Sequence, residues 1–216
     1  MRTAAGPGTA MAEDVVVRPD GLVIGADGLA RCSWGASTPD YVRYHDVEWG
    51  VPVHGEHELF ERITLEAFQS GLSWLTILRK RPAFRVAFAG FDPEVVAGYG
   101  PDDVQRLLAD AGIVRNRAKV LAAVTNARAV LGLRDTVPGG LDALVWSFAA
   151  PDRPAPRGLG DVPAVTPEST ALARLLKKHG FAFVGPTTAY AAMQACGLVD
   201  DHLAGCLARG RGTGGA

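Results

Sequence analysis

Four residues able to hold a soft metal ion stand near the two ends of the compact part of this chain: Cys32 and His45 on one side, His202 and Cys206 on the other. Thiolate sulfur and imidazole nitrogen in fourfold coordination suit zinc, so a single Cys2His2 site would fasten the ends together. His202 and Cys206, four apart, share a face if a helical turn carries them, and the stretch from Cys32 to His45 is long enough to fold back. The plainer alternative is an ordinary buried cysteine pair with two surface histidines. Spacing also leaves open whether such an ion is structural or catalytic. A second group is the carboxylate of Glu66, in a region that holds Trp34, Tyr41, Tyr44, Trp49 and Trp74. Cores prefer Leu, Ile, Val and Phe, because Trp and Tyr need partners for N–H and O–H. Rings gathered around one carboxylate would hold a flat, electron-poor heterocycle, with stacking for affinity and the carboxylate accepting hydrogens from the ring's edge. The competing reading makes Glu66 an exposed partner of Arg62, its i−4 neighbour, in a pair worth about 0.3–0.5 kcal/mol.

Other motifs carry less. Cys196 lies in the apolar run Met193-Gln194-Ala195-Cys196 and reads as a core residue. His54-Gly55-Glu56-His57 has its histidines three apart, whereas a zinc-protease helix needs them four apart, so it reads as a solvated helix entrance. The glycine-rich run from Gly210 follows no strand and opens no helix, which leaves a tail instead of a dinucleotide site.

The elements that must position these groups are helical. Leu59, Ile63 and Ala67 recur at helical spacing, and Gly71 ends that helix. Ser73 caps a second helix through about Arg81, where Pro82 predicts a boundary or kink. Helix starts follow at Asp92-Pro93 and Gly100-Pro101-Asp102, and Ala111-Gly112-Ile113 is a tight link into a further helix. Residues 150–165 form the one long stretch without pattern. Thr166-Pro167 then caps a helix stopped by Gly180, and Pro186 starts the last major one, ended by Gly197. No alternating strand series appears, so the expected fold is all-α, with residues 1–30 as a flexible arm that has at most a weak hairpin, 31–207 as a single domain and 208–216 as a disordered tail.

With 216 residues, 48% of them hydrophobic, the chain can bury one large core. A net charge of −1 gives no global basic field, so a nucleic-acid partner must be met by a local patch. Three cysteines are too few for a disulfide scaffold and fit a reducing, cytoplasmic setting. No apolar run is long enough for a membrane span or an export signal, and nothing requires a dimer, so a monomer is expected.

Collinear segments then make the chain identifiable. Tyr44-His45-Asp46 with Glu48-Trp49-Gly50-Val51-Pro52, Leu65-Glu66 with Gly71-Leu72-Ser73-Trp74, Asp110-Ala111-Gly112-Ile113, Val145-Trp146-Ser147-Phe148, Phe183-Val184-Gly185 and Met193 to Val199 before Asp201-His202 occur in one order from about Arg31 to Cys206. In these the chain resembles the 3-methyladenine DNA glycosylase I family of the helix-hairpin-helix glycosylase superfamily. The resemblance implies a helix-hairpin-helix glycosylase fold whose two ends are joined by a structural zinc site on Cys32, His45, His202 and Cys206. It also implies that Glu66, Tyr44, Trp49 and Trp74 contact the excised base, with Trp34 and Tyr41 completing the aromatic cluster. Gly71 and Leu72 match the turn that fills the gap left by a flipped nucleotide. Ala191, after Tyr190, stands where some relatives carry serine, which bears on the range of alkylated purines accepted.

The implied reaction is hydrolytic release of 3-methyladenine, with 3-methylguanine as a further candidate, from double-stranded alkylated DNA. The lesion is rotated out of the stack at a cost of a few kcal/mol. Methylation at N3 makes the purine a cation that leaves as a neutral base, so little acid catalysis is needed. Selectivity then falls to Trp74, through a cation–π contact of about 2 kcal/mol, and to the Glu66 carboxylate, the expected catalytic residue. The usual superfamily aspartate and lyase lysine are implied to be absent, so no strand cleavage is expected. The Gly112 turn and the next helix start, with Arg115, Arg117 and Lys119, are the expected phosphate contacts, against an equally plain reading as a solvated face. Two rivals are a zinc-stapled DNA-binding module without turnover, which has no need of Glu66 among rings, and a zinc deaminase, whose Pro-Cys-x-x-Cys signature is missing.

Overall fold

The structure, a computed structural model, describes residues 16–149 and 153–211. Its body is helical: α1 (Pro39–Val47), α2 (Glu56–Gln69), α3 (Trp74–Ala87), α4 (Pro93–Ala97), α5 (Pro101–Ala109), α6 (Arg117–Thr136), α7 (Gly140–Trp146), α8 (Pro167–Lys178) and α9 (Pro186–Ala195). Caps fix many of the starts. Thr38, Ser73, Asp92, Asn116 and Thr166 each accept a backbone N–H of the following turn, and five helices carry proline in the first turn, where no amide hydrogen is missed.

The organising element is α2. From Leu59 to Phe68 every residue except Arg62 is buried, and the helix packs against α3, α6, α7 and α9. A helix buried nearly all round belongs in the centre, even though this one takes Glu61, Thr64 and Glu66 inside with it. Its Phe60 and Phe68 join Phe84, Phe88 and Phe91 in an aromatic core with ring centroids 4.8–6.1 Å apart. Elsewhere α4 lies on α6, and α8 with α9 forms a hairpin whose backbone is tied to α6 by Asn126: its Oδ1 accepts Ala182 N–H at 2.7 Å and its Nδ2 donates to Ala182 O at 3.1 Å.

Three expectations need correction. A small antiparallel sheet, β1 (Val16–Val17), β2 (Leu22–Ile24) and β3 (Ala30–Cys32), precedes the helices, with Leu22 opposite Cys32. The fold is therefore mostly helical instead of all-α, and the described half of the expected arm is built in; residues 1–15 lie outside the described residues. Strands of two or three residues are too short for period-two patterning to reveal. At the other end Ala208 is buried and Arg209 donates to the Arg153 and His202 carbonyls, so the expected tail starts too early at 208; residues 212–216 are outside the described residues. Lastly, α3 runs through Pro82, which sits on an exposed face where water can serve the carbonyl freed four residues earlier.

Candidate base pocket and metal group

Glu66 projects from the middle of α2 into a cavity of about 380 Å³ lined also by Trp34, Tyr41, Tyr44, Trp49, Trp74, Gln69 and Ala191. All six residues that the sequence assigned to base binding and catalysis thus meet at one place. Burial pushes the Glu66 carboxyl up to about 8, with the nearby Arg62 charge opposing. The competing surface pair with Arg62 does not form, because α2 is central. Arg62 turns instead to Glu48, which also takes a forked pair of bonds from Arg81 at 2.6 and 2.9 Å. The rings pack edge to face or tilted, Trp34 on Trp49 at 4.9 Å and Tyr44 on Trp74 at 5.3 Å. Tyr41 is also a strut, its hydroxyl accepting Leu75 N–H at 3.1 Å. Trp74 Nε1 is buried and has no hydrogen-bond partner among the described residues.

The cavity has walls that sequence reasoning missed. Leu159 and Val162 come from the long loop read as patternless, and Gln194 and Asp201 from the end of α9 and beyond. Asp201 is fully buried and bonded by Tyr190 Oη at 2.5 Å, Gln194 Nε2 at 2.8 Å and the Arg153 guanidinium. Only the pattern Tyr190, Gln194, Asp201 after a helix hinted at this network.

Beside the pocket, Cys32, His45, His202 and Cys206 are all buried, and one ligand atom from each lies within 4.8 Å of the others. Cys206 Sγ is 3.4 Å from His45 Nε2 and 3.6 Å from His202 Nδ1, and Cys32 Sγ is 4.0 Å from His202 Nδ1. Tetrahedral ligands at ordinary zinc distances stand about 3.6 Å apart, S to N, so the spacing fits a single such ion. The outer nitrogens are fixed as metal-bound imidazoles require: His45 Nδ1 meets Asp46 Oδ1 at 2.8 Å, and His202 Nε2 meets the Trp49 carbonyl at 3.1 Å. Arg31 in turn pairs with Asp46 and Asp27. Hydrogen bonds from Cys32, then from His202 and His45, hold the Cys206 thiol far below its usual range against the effect of burial, which is thiolate character. One expectation differs: the segment from Asp201 to Cys206 is not helical, and turns bring His202 and Cys206 together. Trp34 and Trp49 touch both regions, at 5.3 Å from His45 and 4.6 Å from His202.

The residues assigned to DNA contact separate into two kinds. Gly71, at φ +81°, and half-exposed Leu72 form an open turn beyond Gln69. Arg115 and Arg117 are exposed. Lys119 is not: it is buried, donates to Phe68 O at 2.9 Å and Ser70 O at 2.5 Å, and so holds the turn and not a phosphate. Gly112 does not offer a free amide either, since its N–H is taken by Asp110 Oδ1 at 2.7 Å and its carbonyl by Lys80 Nζ at 3.3 Å. A groove of about 740 Å³ unnoticed in the sequence runs from Ser70 past Arg174, Lys177 and exposed Phe183 to the start of α9.

Residues 34–209 match the family described as methyladenine glycosylase. The chain is similar to DNA-3-methyladenine glycosylase 1 of Escherichia coli (strain K12), 47% identical over 180 residues that cover 82% of this chain and 96% of that protein. Its fold is similar to a crystal structure of 3-methyladenine DNA glycosylase I, with a TM-score of 0.79 and 47% identity over 82% of this chain and 98% of that one. The 3-methyladenine DNA glycosylase I of Staphylococcus aureus, solved to explain 3-methyladenine recognition, is similar with a TM-score of 0.77 and 35% identity over 83% of this chain and 96% of that one.

Proposed function

The chain belongs to the methyladenine glycosylase family, and from that premise we propose how it removes 3-methyladenine from DNA in base-excision repair. The observation that carries the reading is the Glu66 carboxylate, held near pKa 8 by burial, inside a cage of aromatic rings that fits a single purine. An N3-methylated purine nucleotide is a cation, and its charge favours ionised Glu66 where a neutral adenine does not. Trp74 and Tyr44 stack on the ring, and Glu66 accepts its exocyclic hydrogens. The glycosidic bond then breaks to a neutral leaving base, and water completes an abasic site without strand cleavage.

In this reading Gly71 and Leu72 enter the duplex beside the flipped nucleotide. The backbone runs along the groove that carries Arg174 and Lys177, where the first amides of α9 are placed to receive phosphate. Arg115 and Arg117 extend that surface. The metal group supports zinc: two thiol and two imidazole ligands, all buried, complete its shell and leave no position for a reacting water. Bound there, zinc supplies cross-linking and no catalytic step.

The test is incubation with double-stranded DNA treated with a methylating agent, followed by chromatography of released bases. Free 3-methyladenine is expected, with strands broken only after alkali. Failure to release it, or breaks without alkali, would sink the reading or its monofunctional part respectively.

A further inference from the structure

Leu159 and Val162 line the cavity from a loop that is held at two places. The inner anchor is Arg153, bonded to the Asp201 carboxylate and the Tyr190 hydroxyl. The outer one is the turn that joins β1 to β2. A methyl group added at Gly21 would stand 3.3 Å from the Leu159 side chain and 3.7 Å from its amide nitrogen, and one added at Gly158 would stand 3.7 Å from the Asp20 carbonyl. The turn therefore lies flat on the loop. Leu22, only 1% exposed, continues the contact in a small apolar cluster against which Val162 packs. The turn is itself well fixed: Gly21 N–H donates to Arg18 O at 3.0 Å, Ser33 N–H to Gly21 O at 2.9 Å, and Leu22 N–H to Asp20 Oδ1 at 3.1 Å. It lies outside the family match, which begins at Trp34.

We propose that residues 20–22 are positioning residues for the base pocket, holding Leu159 and Val162 against the cavity mouth so that a bound methylated purine is released slowly. None of the three touches the ring; they act through the loop. The inference rests on the proposed function, since it concerns the same cavity.

The experiment measures binding of free 3-methyladenine by tryptophan fluorescence, together with kcat and KM on methylated duplex DNA, in Gly21→Val, Leu22→Ala, Leu159→Ala and the Gly21→Val/Leu159→Ala pair. Gly21→Val, with a branched side chain at φ +81° against Leu159, is expected to weaken base affinity and raise KM by roughly tenfold while kcat stays within about twofold. Leu159→Ala is expected to do the same. The pair should lose no more than the worse single variant, because both act at one contact. Wild-type protein that fails to bind 3-methyladenine overturns the proposed function. Wild-type binding with unchanged affinity in Gly21→Val, additive losses in the pair, or a loss that follows each variant's metal content overturns this inference instead. Should Gly21→Val not fold, Leu22→Ala decides by the same affinity and KM readings.

Discussion

Glu66 is expected to couple stability and binding to pH in opposite directions. Its folded pKa of about 8 lies above the ordinary glutamate value of 4.5, so the folded state holds a proton that the unfolded chain has lost between those values. Stability from this group is therefore full below pH 4.5 and declines as pH rises to 8. Glu66→Gln, neutral and of the same shape, should melt about 5 °C or more above wild type at pH 9 and show no such gap at pH 4, read by calorimetry. The same substitution removes the anion that the substrate cation selects, so excision should fall by roughly 100-fold. For wild type, kcat/KM on methylated DNA should rise with pH to a plateau above about 8, because the free enzyme must ionise Glu66 first; a profile flat from pH 6 to 9 would contradict this. Lys119→Met should spare binding of free 3-methyladenine but weaken action on duplex DNA by roughly tenfold, as the turn at Gly71 loses its support at the Phe68 and Ser70 carbonyls. Equal losses on single-stranded and duplex substrate would show that Lys119 acts on the pocket and not on the turn. At this scale the sequence named residues that line one cavity, since rare Trp and Tyr near one carboxylate are a compositional signal. It misjudged Lys119 because charge alone does not tell a phosphate ligand from a helix C-terminal clamp.

Helices that begin with Thr-Pro, Asp-Pro or Gly-Pro are legible because their starts are set by local chemistry. What remained hidden depends on packing at a distance. Nothing local in α2 says that four other helices surround it, and this burial is what removes Glu66 from solvent. Leu159 and Val162 gave no pattern because their loop takes its shape from Asp201, which Arg153 grips, and from the sheet, both far off in sequence. The α8–α9 hairpin shows the same dependence. Asn126 serves both polar groups of Ala182 from α6, so Asn126→Ala leaves a part-buried N–H and C=O unmet and should cost roughly 1–3 kcal/mol in urea unfolding. It should also weaken DNA binding at the groove beside Phe183, measured by fluorescence anisotropy, if the hairpin carries phosphate contacts.

For the whole molecule the metal group and the pocket are one construction with shared walls, Trp34 and Trp49. On the proposed zinc reading, a chelator should lower Tm by roughly 10 °C or more and abolish 3-methyladenine binding together with it. A chelated protein with unchanged Tm would contradict the clip. Gly35 adds a check without chelation: a Cβ there would meet the His45 ring at 2.5 Å, so Gly35→Ala should reduce metal content while Glu66 chemistry keeps its residues. The clip also has a consequence in time. Cys32 and His202 are separated by 170 residues, which at about 5–20 residues per second of synthesis means on the order of ten seconds between the appearance of the first ligand and the third. During that interval half a site waits on a growing chain, its cysteine exposed to whatever ion or oxidant is present. Closing such a span costs about 4–5 kcal/mol of chain entropy, so on the proposed zinc reading the helices are expected to fold first and the ion to bind last. We therefore expect newly made protein in metal-poor translation extracts to be helical and protease-sensitive at its ends, with repair capacity set by ion supply after the chain is complete.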